Sequence, residues 1–238
     1  MQLMVRKLLL ILTFLVLQTS SYSQEDNKVL FSQALSAHFP KYDQSAKLAY
    51  YYRDYDRARV LFDSLVQNNL KGSYMDNFWF KDLRSKSVNL YDLDKPVYLI
   101  TYASWCITTK GEIPALNQLA EKYSDQIDFV VLFWDSKKTT KKAAKAYNKH
   151  ITVVYVDEME NKDAFVVSRL KHTLGLPTTF LLDKNKQILD VRRGISHSYE
   201  KSLQESIDVN YNSIFDGIAN HLLKGGNFDS IIDPIAVN

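Results

Sequence analysis

Reactive chemistry in this chain narrows to one sulfur. Cys106 is the single cysteine among 238 residues, which excludes an intramolecular disulfide, a paired CxxC redox centre and a thiolate-rich zinc site. It stands in YASWCITTKGEIPALNQL, where an apolar strand-like run gives way to a stretch of helical periodicity. Unpaired amide groups and the helix dipole at such a junction favour an anion, so a thiol there is expected to ionise more readily than in an open chain. Thr109 and Glu112 follow in the same segment. A threonine hydroxyl is no nucleophile toward sulfur at neutral pH, yet it can hydrogen-bond a neighbouring thiolate. Plainer readings stand beside these. A lone cysteine is often an inert buried residue, and a carboxylate in the first turn of a helix is favourable through the dipole alone.

Other chemistries are poorly supplied. The seven glycines form neither GxxxxGK[ST] nor GxGxxG, so no phosphate cradle is available and no nucleotide or other cofactor is expected. The five histidines, His38, His150, His172, His197 and His221, make no HxxxH or HExxH pair, and no metal site is read from them. Ser196 and Ser198 beside His197 lack the GxSxG elbow of a hydrolase. Thirty Lys and Arg against 27 Asp and Glu give +3, and removing Arg6 and Lys7 with a leader leaves 28 against 27. That balance makes no case for a nucleic-acid partner. Lys137, Lys141, Lys145 and Lys149 recur at i, i+4, a spacing expected of a solvated helix face, with docking of an acidic partner as the alternative.

The elements that must position Cys106 are legible as alternation. Residues 1–23 read as a secretory signal peptide, with Arg6 and Lys7 before the apolar run Leu8–Leu17 and cleavage near Gln24. Ten apolar residues rise about 15 Å as a helix, half a bilayer, so no integral span is expected after cleavage. No cysteine stands at the cleavage point to accept lipid, and a periplasmic or secreted mature chain is expected. Residues 24–76 have helical periodicity, with a turn at Asp54–Asp56, and are read as a helical extension. An α/β span is expected over 77–224 and a tail over 225–238. Within that span Val97–Ala103, Ile127–Trp134, Thr152–Val156 and Thr178–Leu182 read as strands covered on both faces. Helices are expected over 111–124, 138–149, 163–173 and about 200–223, and a hairpin turn at Lys184–Lys186. The fold class is therefore α/β, a central mixed sheet of four or five strands flanked by helices, with an N-terminal helical extension.

The segment SWCITTKGEIPALNQL at 104–119 resembles the active-site segment WCxPCxxEIPxL of the TlpA/ResA-like thiol-disulfide oxidoreductases of the thioredoxin superfamily. The lead-in at 78–105 and LGLPTTFLLDKNKQI at 174–188 are similar too, in the same order along the chain. The resemblance implies a thioredoxin-like fold, Trp105 and Cys106 as the motif's Trp and nucleophile, and Glu112 as a carboxylate that tunes proton transfer. Pro177 matches the family's cis-proline loop, in which Leu176 and Thr178 would pair with the backbone of an extended substrate. Two positions depart: Thr108 replaces the motif's proline and Thr109 its resolving cysteine. A dithiol cycle needs a second thiol to free the partner, so mixed disulfides with protein thiols or disulfides would await an external reductant or resolving thiol. A noncatalytic binding module for extended or unfolded clients is the second reading. A one-cysteine peroxide-reactive enzyme is the third, poorly met because Ala103 stands where that chemistry wants threonine or serine.

Overall fold

The computed structural model describes residues 28–157, 174–194 and 201–223. The expected leader, the helix at 163–173, the tail, and His172, Ser196, His197 and Ser198 lie outside them. Helix α1 spans Phe31–Tyr51 and α2 spans Tyr55–Leu65, continued by one wide turn to Leu70. Between them Arg53 takes a left-handed conformation at φ 56°, and the Asp54 carboxylate accepts the Arg57 N–H at 3.0 Å to cap α2.

Seven strands follow, β1 (Trp79–Asp82), β2 (Ser87–Asn89), β3 (Val97–Tyr102), β4 (Asp128–Phe133), β5 (Ile151–Tyr155), β6 (Thr178–Leu182) and β7 (Ile188–Arg193). They form one mixed sheet in the order β2-β1-β5-β4-β3-β6-β7. Strands β3, β4 and β5 are parallel, whereas β6 runs antiparallel beside β3 and β7 antiparallel beside β6. Helix α3 (Glu112–Tyr123) follows β3, α4 (Lys137–Ala143) follows β4, and α5 (Leu203–Gly217) closes the described chain. The sheet exceeds the four or five strands expected, because the β1–β2 hairpin joins its edge. Those strands have only four and three residues, too short for an alternation to stand out, and Trp79 faces solvent. The lysine stripe also differs from expectation: α4 ends at Ala143 and a tight turn covers Ala144–Ala146, so Lys149 belongs to no helix shared with Lys137. The turn residues Asn148 and His150 break the pattern before β5.

Every residue of β3 and of β6 is buried, as their unbroken apolarity requires. One face of the sheet, with Tyr98, Ile100 and Phe133, packs on α3 and the turn after α5. The opposite face, with Val97, Leu99, Val130 and Phe180, is covered by α1 and α2 through Phe31, Leu35, Phe62 and Leu65. Phe31 meets Phe180 edge-on at 5.5 Å. The backbone of 72–75 also bonds alongside β7, with Gly72 N–H donating to Ile188 O at 2.8 Å. Packing therefore makes the helical hairpin part of the sheet's core. Phe31→Ala is expected to cost about 3–5 kcal/mol. Far-UV dichroism and tryptophan fluorescence should still report one coincident urea transition, and two separated transitions would show the hairpin to be an independent unit.

Candidate functional site around Cys106

Two loops leave the sheet at the same end of adjacent strands. Thr101 is the register partner of Thr178, and its hydroxyl donates to Thr178 O at 3.1 Å. One step beyond that pair, β3 runs into the Cys106 loop and β6 is preceded by Pro177. The Leu176–Pro177 bond is cis, as the resemblance implies, and the Thr178 hydroxyl donates to Gly175 O at 2.9 Å to close the loop.

A tight turn holds the sulfur. Cys106 N–H donates to Ala103 O at 2.9 Å, and Cys106 Sγ accepts the Ala103 N–H at 3.3 Å. Ser104 N–H and Oγ–H both donate to the Asp135 carboxylate, at 2.6 and 2.7 Å, which fastens the turn to the chain just past β4. Cys106 itself is half-buried and touches the apolar clusters of both sheet faces. Its neighbours Trp105 and Ile107 project outward, 67% and 81% exposed.

The expected position of the sulfur at a helix head is corrected by the structure. Helix α3 begins at Glu112, with Gly111 as its N-cap, so Cys106 lies six residues before it. The dipole's influence fades within the first turn. Ile107, Thr108 and Thr109 explain the delay, since three consecutive β-branched residues resist helical winding. The delayed start is then locked against α5. Gly111 N–H donates to Ser206 Oγ at 2.9 Å, and Asn210 Nδ2 donates to Thr109 Oγ1 at 2.8 Å. A Cβ on Gly111 would stand 2.2 Å from the Ser206 backbone carbon, so only glycine permits this approach. Thr109, at the position where the resemblance places a second thiol, is thus an acceptor tied to the last helix.

Glu112 is buried, and Tyr102 Oη donates to its Oε1. Burial pushes its carboxyl up from 4.5 to about 7, opposed by its backbone hydrogen bond with Thr109. Burial of its own, with the Glu112 charge adding to it, raises the Tyr147 phenol. Glu112 also borders a small cavity of about 40 Å³ with Tyr98, Thr179, Arg192 and Asn210, room enough for water. Sequence reasoning missed Asp135, Asn210 and Ser206. Their signal is weak, because an aspartate after a strand or a polar residue on a helix reads as surface until the neighbouring loop is known. Among the described residues no group of three or more His, Cys, Asp or Glu could hold a metal ion, and no helix is long and apolar enough to cross a membrane.

The sequence pattern of the AhpC/TSA family matches residues 72–191, half of the chain. The chain is 24% identical over 140 residues to the thioredoxin-like protein YneN of Bacillus subtilis, covering 58% of this chain and 79% of that one. It is 28% identical over 122 residues to the thiol-disulfide oxidoreductase ResA of Bacillus cereus, covering 50% and 67%. Among solved structures, a putative thiol:disulfide interchange protein DsbE from Chlorobium tepidum aligns over 59% of this chain and 97% of its own, at 26% identity and a TM-score of 0.45.

Two expectations follow from the geometry. In the unfolded chain Glu112 ionises near 4.5 and in the folded chain at about 7, so the folded state holds the extra proton between those values. Stability is then lost as pH rises through that window, by about 3 kcal/mol once above it. Glu112→Gln should remove this slope: its stability relative to the parent rises by that order from pH 4 to pH 8 in urea titrations, and a constant difference would refute the burial. Gly111→Ala should lower stability by about 1–3 kcal/mol through overpacking against α5, and an unchanged melting temperature would contradict the close approach.

Proposed function

Because the chain belongs to the AhpC/TSA family, we propose that it is an extracytoplasmic thioredoxin-like protein whose one active-site cysteine forms mixed disulfides with thiol or disulfide partners. The supporting observation is a half-buried sulfur on the loop that leaves β3 at the end where the cis-proline precedes β6, flanked by the exposed Trp105 and Ile107. The kinship with thiol-disulfide oxidoreductases points the same way. The leader-like residues 1–23 support the location outside the cytoplasm.

The Cys106 thiolate attacks one sulfur of a client disulfide. A new S–S bond forms between Cys106 and the client, and the client's other sulfur leaves as a thiolate. Ala103 N–H, aimed at Sγ, and the turn fastened by Asp135 hold the nucleophile in place. Trp105, Leu176, Pro177 and Thr178 form the surface against which an extended client lies, its backbone pairing beside the cis-proline. Glu112, poised near neutrality by burial, exchanges a proton with the thiol site through Tyr102 or water. Thr109 has no electron pair suited to attack the mixed disulfide, and its oxygen is engaged by Asn210. Release therefore requires a thiol from outside, which attacks the mixed disulfide, reduces one client sulfur or Cys106, and leaves itself disulfide-linked.

In a reaction with a 2-thiopyridyl disulfide, the folded protein should bind one equivalent and react at least about tenfold faster than the same chain in urea, whereas Cys106→Ser should bind none. A folded-state rate no higher than the unfolded one would reduce Cys106 to an inert residue. Thr109→Cys should confer catalytic reduction of insulin with dithiothreitol as donor, since it supplies the missing thiol; an inactive variant that still folds would show that more than one position separates this site from a dithiol enzyme.

A further inference from the structure

A cleft of about 810 Å³ opens between the α1–α2 hairpin and β7, and its chemistry is not used by the thiol site. Tyr50, Tyr55, Arg59, Phe62, Arg193 and Gly194 line it. It starts at the cis-proline loop: Arg193 is the register partner of Thr178, and a Cβ on Gly194 would lie 3.1 Å from Pro177 Cγ.

Arg193 is the feature that calls for a ligand. Its guanidinium lies over the Phe62 ring at 4.2 Å. Nη1 donates to Tyr50 Oη at 2.9 Å, and Nη2 donates to Tyr42 Oη at 2.9 Å and Leu174 O at 3.3 Å. Each of those acceptors is neutral. The adjacent Arg192 has two carboxylates, Asp190 at 2.7 Å and Asp216 at 3.0 Å, whereas among the described residues none pairs with Arg193. Of the carboxylates lining the cleft, Asp190 is engaged by Arg192 and Gln67, and Asp63 lies across on α2, the helix that also carries Arg59. Three of the five N–H donors of Arg193 are used, which leaves Nε–H and one Nη1–H. Tyr50, 46% exposed, accepts from Arg193 and so keeps its own O–H to donate. A remaining guanidinium N–H and a phenol donor together suit a carboxylate, one donor to each oxygen.

We propose that this cleft is a subsite for the carboxylate of an Asp or Glu side chain in an extended client segment, held while the client's sulfur is presented to Cys106. The inference rests on the thiol reading above and adds to it the kind of client selected.

The test uses the full chain and two series of short extended peptides, each with one cysteine activated as a 2-thiopyridyl disulfide and with either Glu or Gln at successive flanking positions. Attack by Cys106 joins the peptide to the protein and releases pyridine-2-thione, which reads the rate. At low salt the Glu peptide should react about tenfold faster than its Gln counterpart at one or more positions, and added salt should narrow the gap. In Tyr50→Phe, which removes one hydroxyl and its bond from Arg193, and in Arg193→Gln, the ratio should fall toward one. Equal rates for all Glu and Gln pairs in the parent protein overturn the subsite and leave the thiol reading intact; this includes the cases in which a second copy or the chain's own carboxylates fill the cleft. If no peptide reacts, the thiol reading fails. The subsite is then decided by fluorescence anisotropy with the Glu and Gln peptides bearing serine for cysteine: preference for Glu, lost in Tyr50→Phe, upholds it, and equal binding overturns it.

Discussion

The register between β3 and β6 governs the site. Because Thr101 lies opposite Thr178 and bonds to its carbonyl, the loop bearing Cys106 and the loop bearing Pro177 must emerge together. A slip of one strand by one residue would turn all of its side chains to the opposite face. Both faces are apolar here, so burial alone would not forbid such a slip. What forbids it is shape: Phe180 meets Phe31 on one side, while on the other Tyr98 lies tilted against Phe129 and Tyr102 stacks on Phe133. Site geometry is thus a consequence of core packing several residues away.

Around that fixed frame the polar groups are arranged in opposed environments. Asp135 sits at the rim and takes two hydrogen bonds from Ser104, whereas Glu112 is taken out of water and linked to the Tyr102 phenol and the Thr109 backbone. One carboxylate anchors a turn, and the other is held near the midpoint of its titration. The two arginines at the end of β7 divide in the same manner. Arg192 turns toward carboxylates and ties the strand to α5, and Arg193 turns toward tyrosines and ties it to the hairpin. Alternation along a strand is enough to send adjacent side chains to such different surroundings.

The strands that lie in the sheet's interior were legible because covered strands must be apolar on both sides: TTFLL is a strand over the very residues expected, and VYLITY and DFVVLF lie within a residue or two of their expected bounds. The edge hairpin was not legible, since short half-exposed strands carry little periodicity. Within the site, Cys106, Thr109, Glu112 and Pro177 stood out through their resemblance to a known segment. Their partners did not. Asn210 and Ser206 reach the site across about a hundred residues, and no local pattern encodes a hydrogen bond between a loop and a helix so far downstream. The bounds of α3 were legible, 111–124 against Glu112–Tyr123, yet the family segment suggested a sulfur at the helix head where Ile107, Thr108 and Thr109 hold it away.

The cover that α1 and α2 lay over the sheet also sets an order of events. These helices leave the ribosome early, yet the side chains that receive them, Phe180 and Val191 among them, are made well over a hundred residues later. Until β6 and β7 exist the hairpin lacks part of the surface it rests on, and α2, with 11 residues, is marginal by itself. The hairpin is accordingly seated only once strands made much later are in place, so its docking depends on contacts of long sequence separation.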